Sequence, residues 1–271
     1  MAKRRIVPTV CLKADFEDYL TGFLKEDEKL ALLFDFDGTL APIVEHPEDA
    51  KMPKEIEEAL CRLSNNPKVF VAIISGRGLA DVKSKAGLVN ITYAGNHGFE
   101  IENADCSRSD YELPDRIKES YRQIIDALLN KVAKHGAWVE DKRVSLTFHF
   151  RKTPPELVDT LKIEAIQIIQ SHGWIANEAH CAVEGKPPIA WNKGEAAKYI
   201  LTRNFGTEWQ NSVKVIFVGD DTTDEDAMKA LQGVGKSFRI SPNPLIETYA
   251  DFRLPTCNEI HLLLEWIEKT Y

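Results

Sequence analysis

With 271 residues, 44% hydrophobic and 28% charged, the chain is globular rather than disordered and long enough for two modest domains. Its formal net charge of -8 argues against a nucleic-acid backbone as partner, because phosphate-backbone binding is driven by clustered Lys and Arg. The opening MAKRRIVPTV carries basic residues with no apolar stretch behind them, and no run approaches a membrane span, so neither a leader nor a membrane partner is expected. Cys11, Cys61, Cys106, Cys181 and Cys257 form no CxxC pair and no dense framework, and read as reduced thiols of a cytoplasmic protein.

In chain order, residues 16–23 read as a short docking helix. LALLF at 30–34 is the first of four nearly all-apolar runs, followed by 69–74 (VFVAII), 92–95 (TYAG) and 213–218 (VKVIFV). Strands covered on both faces look like this, and their alternation with helices points to an α/β fold with a parallel sheet. Asp35-Phe36-Asp37-Gly38-Thr39 follows the first run, Ser75-Gly76-Arg77 the second and Gly219-Asp220-Asp221 the last. Ligands of open parallel sheets bind beyond the carboxyl ends of the strands, so these three turns could line one crevice. Taken singly, each holds ordinary turn residues, and an isolated DxD is commonly an N-cap or Asx-turn cluster.

Residues 106–190 break this rhythm. Ile117, Tyr121, Ile124, Ile125, Leu128 and Val132 recur at helical spacing within 111–132, whereas in 144–151 apolar Val144, Leu146, Phe148 and Phe150 alternate with Ser145, Thr147, His149 and Arg151, as in a half-buried strand. A second helix at 155–172 and extended pieces at 174–177 and 181–184 complete a small α+β layer. With twelve basic and twelve acidic residues in 106–190, the insert is neutral, and the remainder (22 against 30) holds all of the -8.

A carboxylate at the end of a buried strand, beside a glycine that permits close approach, can attack an electrophile or hold a hard cation. Asp37 can reach the same centre if its turn curls back, and two carboxylates near one centre resist joint ionisation, which leaves one able to act as an acid. Lys193 opens a predicted helix at 193–201; by itself it is an ordinary solvated lysine, slightly disfavoured there by the helix dipole.

Together these residues match a known pattern. DFDGT at 35–39, Ser75 in IISGR, Lys193 in WNKG and GDDTTDEDAM at 219–228 resemble, in order and spacing, the four signatures of the haloacid dehalogenase superfamily of phosphohydrolases. GNHG at 95–98, EDK with HFR across 140–151 and EGKP at 184–187 are similar to trehalose 6-phosphate phosphatases. The resemblance implies a Rossmann-like catalytic core at 1–105 and 191–271 and a C2-type cap at 106–190 that closes over the site. It implies that Asp35 attacks phosphorus and that Asp37 protonates the leaving sugar oxygen, then activates water. Mg²⁺ would sit among the Asp35 carboxylate, the Asp37 carbonyl and Asp220, with Asp221 and Asp224 as supporting or water-mediated ligands. Ser75, Lys193, Thr39 and the turn at Gly76 and Arg77 would contact phosphate. Glu184 and Lys186 match a Glu-x-Lys pair that binds glucose hydroxyls. His149 and Arg151 on the polar strand face, with Asn96 and His97 in the core loop, are further sugar-binding candidates, although Arg151 also reads as a surface cation and His97 as a turn cap.

The implied activity is Mg²⁺-dependent hydrolysis of trehalose 6-phosphate to trehalose and phosphate. The alternatives are a sucrose-phosphate or hexose-phosphate phosphatase, and a catalytically silent sugar-phosphate sensor. The implied partners are a small sugar phosphate and, in trans, a trehalose-phosphate synthase.

Overall fold

A computed structural model describes residues 3–179 and 181–271, which form two compact units, one ending at Asp110 and resuming over Trp191–Tyr271, the other within Tyr111–Ala190. In the first unit the chain runs α1 (Lys13–Leu20), β1 (Lys29–Phe34), α2 (Lys54–Ser64), β2 (Val69–Ile74), α3 (Leu79–Ala86), β3 (Thr92–Gly95) and β4 (Glu100–Glu102). The second unit contributes α4 (Asp115–Lys131), β5 (Trp138–Asp141), β6 (Leu146–His149), α5 (Pro155–Ser171), β7 (Ile175–Ala179) and β8 (Ala182–Lys186). The first unit then resumes with α6 (Lys193–Phe205), β9 (Val213–Gly219), α7 (Asp224–Ala230), β10 (Lys236–Ile240), β11 (Phe252–Leu254) and α8 (Ile260–Glu268).

The first unit is built on a seven-stranded sheet in the order β11-β10-β9-β1-β2-β3-β4, parallel throughout except for β4, which runs antiparallel to β3. Successive strand side chains point to opposite faces. Leu30, Leu32 and Phe34 of β1 accordingly enter one core with Phe16 of α1, Ile56 and Leu60 of α2, Val82 of α3 and Leu264 of α8. Ala31 and Leu33 enter the other, with Ala197 and Ile200 of α6 and Met228 of α7. A strand with helices on both sides has no polar face, which is why LALLF shows no alternation. The docking helix expected at 16–23 runs instead from Lys13, with Phe16 and Leu20 buried and Phe16 packed on Phe238 and Trp266. Residues 106–110 stay with this unit because Asn103 N donates to Ser107 O and Ser109 N to Ile101 O, tying the segment to β4.

The second unit is an antiparallel sheet in the order β5-β6-β8-β7, with α4 and α5. The helix expected from residue 111 begins at Asp115, since Pro114 disfavours helical backbone in the residue before it. The strand expected across 144–151 spans only Leu146–His149, because a turn closed by Thr153 N and Phe150 O follows it. No helix among the described residues is long and apolar enough to cross a membrane.

Candidate active site

Because β1 lies between β9 and β2, in register Phe34↔Val218 and Phe34↔Ile73, the turns after these three strands emerge at one edge of the sheet. Asp35 leaves β1 with its amide donating to Val218 O, and its side chain is buried. Lys193, the first residue of α6 and only 2% exposed, donates from Nζ to Asp35 Oδ1 at 2.6 Å and to Asp224 Oδ1 at 2.7 Å. A lysine at a helix start is thus held by two buried carboxylates, which offset the cost of burying its charge. Burial works against the Lys193 ammonium, but Asp224 and Asp35 outweigh it and raise its pKa.

The other oxygen of Asp224 accepts from the amides of Asp220 at 3.0 Å and Asp221 at 2.9 Å, so this side chain shapes the acidic turn from within. Space for it comes from Gly219, where a Cβ would stand 2.4 Å from the Asp224 carboxyl carbon. Gly38, at φ +75°, has the same function opposite Asp220: its Cβ would stand 2.2 Å from Asp220 Oδ2. Thr39 Oγ1 donates to Asp220 Oδ1 at 3.3 Å.

Asp35, Asp220 and Asp224 each offer an oxygen within 4.8 Å of the others. Burial, Lys193 opposing it, and then the charges of Asp224 and Asp220 leave the Asp35 pKa well above the ordinary value. Asp220 is pushed up to about 6 by burial and by Asp224. Three carboxylates against one ammonium leave excess negative charge on an all-oxygen donor set, which the two missing Cβ atoms allow to crowd together. These residues fit a hard divalent cation such as Mg²⁺, with Asp35 and Asp220 as the natural ligands, since Asp224 already accepts from Lys193 and two amides.

Asp37 and Asp221 lie outside this cluster. Both oxygens of Asp37 accept from Arg77, Nε and Nη2 each at 2.6 Å. Burial opposes the Arg77 charge, but Asp37 and Asp81 outweigh it and raise its pKa. Both oxygens of Asp37 are thus engaged by Arg77, apart from the Asp35 cluster. The Asp221 carboxylate accepts from Thr222 Oγ1 at 3.2 Å in its own turn.

Ser75 is buried, and its hydroxyl accepts from Arg77 N at 3.1 Å, curling the Ser75-Gly76-Arg77 turn. His97 lies against this turn, with its ring 2.9 Å from where a Gly76 Cβ would be. Asn96 is buried, donating from Nδ2 to Glu100 at 2.5 Å.

In the second unit, Glu184 and Lys186 stand two apart on β8 and pair at 3.2 Å. His149 Nε2 lies 2.9 Å from Glu140 Oε2, and its ring stacks on Trp138 at 4.2 Å. Arg151 does not share the strand face with His149: it is exposed in the turn beyond β6. Two features escaped the sequence reading. One is half-exposed Trp138, whose signal was an indole two residues before Glu140. The other is buried Arg239, whose signal was a cation inside the apolar run Phe238-Arg239-Ile240.

A parallel sheet whose central strand delivers an aspartate to a buried lysine, next to an acidic turn, belongs to a phosphatase of the haloacid dehalogenase superfamily. Within that class, a trehalose-phosphatase family profile matches residues 33–256, and the chain belongs to the trehalose-phosphatase family. A Mycobacterium tuberculosis protein named as an uncharacterized glycosyl hydrolase is 36% identical over 231 residues, 83% of this chain and 17% of its own length. Trehalose-phosphate phosphatase B of Arabidopsis thaliana is 29% identical over 261 residues, covering 90% of this chain and 68% of its own. The C-terminal domain of the C. albicans trehalose-6-phosphate phosphatase shares the fold, with a TM-score of 0.73 over 98% of this chain and 99% of its own at 22% identity.

Proposed function

We propose that the chain hydrolyses trehalose 6-phosphate to trehalose and phosphate through an aspartyl-phosphate. The observation that carries this reading is Lys193 bridging Asp35 and Asp224, with Asp220 alongside, at the carboxyl edge of β1 and β9. Family membership and the name of the Arabidopsis relative support the substrate.

Asp35 attacks phosphorus as the bond from phosphorus to the sugar oxygen breaks, and Asp37, entering the step protonated and turned away from Arg77, gives that oxygen its proton. Asp37 then takes a proton from the water whose oxygen attacks phosphorus, which frees Asp35 and releases phosphate. For either transfer one oxygen of Asp37 must leave the Arg77 fork. Lys193 keeps Asp35 aimed and offsets charge on the phosphoryl oxygens, while Ser75 and the Gly76 amide supply donors, joined by Thr39 and the Arg77 amide once they release Asp220 and the Ser75 hydroxyl. Mg²⁺, held by Asp35, Asp220 and the Asp37 carbonyl, would neutralise charge on the transferring group.

The second unit is the substrate-selecting cap in this reading. Glu184, Lys186 and His149 offer the donors and acceptors that sugar hydroxyls require, with Trp138 as a flat apolar neighbour. A trehalose-phosphate synthase supplying the substrate is the partner that fits this activity.

The test is phosphate release from trehalose 6-phosphate, sucrose 6-phosphate and glucose 6-phosphate, with and without Mg²⁺. Trehalose 6-phosphate should give the highest kcat/KM, and only with Mg²⁺. Faster hydrolysis of either other ester would move the assignment to another sugar phosphatase, and affinity without turnover would make the chain a sensor.

A further inference from the structure

Arg239 on β10 stands in register with Gly219, the last residue of β9 before the acidic turn. It is 8% exposed, and its Nη1 donates to the backbone carbonyl of Asp221. The same nitrogen lies 3.8 Å from Glu225 Oε1, on the helix that follows the turn. Glu225 is itself fixed. Its Oε1 accepts from Thr248 Oγ1 and its Oε2 from Tyr249 N, both at 2.8 Å, and Arg4 stands 4.0 Å away. A buried cation is thereby fastened to the acidic turn at a carbonyl and to α7 at a carboxylate.

Electrostatics pulls two ways here, because the Arg239 charge favours the Asp220 carboxylate. A fixed positive charge beside carboxylates that gather a cation weakens their pull on it. Burying a guanidinium also costs free energy unless its partners are well placed. What the arrangement does supply is geometry. Asp224 holds the turn from within through the amides of Asp220 and Asp221, and Arg239 holds the opposite side of the same backbone through the Asp221 carbonyl. With both sides fixed, the Asp220 carboxylate is preorganised beside Asp35.

We propose that Arg239, anchored by Glu225, is a positioning residue that fixes the Asp220–Asp221 backbone so that Asp220 is preset to take Mg²⁺. The proposal rests on the reading of Asp35 and Asp220 as the Mg²⁺ site. At a pH well above 6, where Asp220 is a carboxylate, charge and geometry predict opposite signs, which makes it testable. Removing the cation should tighten Mg²⁺ binding if only Coulomb forces matter, and weaken it if the backbone anchor matters.

The experiment is calorimetric titration of the full chain with Mg²⁺, comparing wild type with Arg239→Met and Arg239→Lys, and with far-UV circular dichroism to confirm folding. Arg239→Met should raise the dissociation constant about tenfold, the size expected for losing a supporting contact behind a metal ligand. Arg239→Lys, which keeps the charge and one donor, should recover part of that loss. If Arg239→Met does not fold, Thr248→Val removes a donor that holds Glu225 without changing any charge, and should weaken binding in the same direction. Unchanged or tighter Mg²⁺ binding in the folded variant, with wild type binding normally, overturns the proposal alone. No uptake by wild type overturns the metal site and the proposal together.

Discussion

Two residues at the site carry roles that only their surroundings reveal. Lys193 was legible as a candidate through its place in the motif order, but its two carboxylate partners, 158 and 31 positions away in sequence, were not. Replacing it by methionine leaves Asp35 and Asp224 buried without a counter-charge. Breaking a buried pair in this way costs about 3–5 kcal/mol, so Lys193→Met should lower the urea midpoint substantially as well as abolish phosphate release. Gly38 illustrates the reverse case. Its need for φ +75° follows from a tight turn, but the Asp220 carboxylate that a Cβ would strike belongs to a distant strand. Gly38→Ala should therefore lose phosphate release and cost roughly 1–3 kcal/mol of stability, from backbone strain and from displacement of Asp220. Near-normal turnover in that variant would show that Asp220 can move without consequence.

At the scale of elements, the strands with chemistry at their ends were readable, because an apolar run that stops at Asp, Ser or Gly-Asp announces both the strand and its turn. The outer strands β10 and β11 and the helix α8 were not. Phe252–Leu254 is too short for a periodicity, and α8 buries Ile260, Leu263, Leu264, Trp266 and Ile267 without any motif to draw attention to it. The strand β8 shows how far an element can be read. Its Glu-x-Lys spacing puts both side chains on one face by the two-residue repeat of a strand, and they pair there. Glu184→Gln should raise KM for trehalose 6-phosphate several-fold, because an amide presents one acceptor where the carboxylate presents two. Hydrolysis of p-nitrophenyl phosphate, which has no sugar to select, should be unchanged; equal losses on both esters would remove the sugar-binding role.

For the whole molecule, Mg²⁺ should contribute to stability as well as to turnover, since the folded chain gathers carboxylates that the unfolded chain scatters. At about a hundred times the dissociation constant, a ligand specific to the folded state adds about 2.7 kcal/mol. Chelation of divalent cations should abolish phosphate release and lower the urea midpoint correspondingly, with both restored by added Mg²⁺. A midpoint that ignores chelator would place the cation elsewhere than on this carboxylate cluster.

The position of β1 between β2 and β9 has a consequence for how the molecule is made. Leu30 pairs with Val69 on one side but with Lys214 on the other, so the central strand lacks a neighbour until most of the chain has been synthesised. Residues 111–190 emerge from the ribosome before that neighbour does, and among the described residues their strands pair only with one another. The smaller unit can therefore fold during translation, while the larger one waits, half assembled, for β9 to leave the exit tunnel.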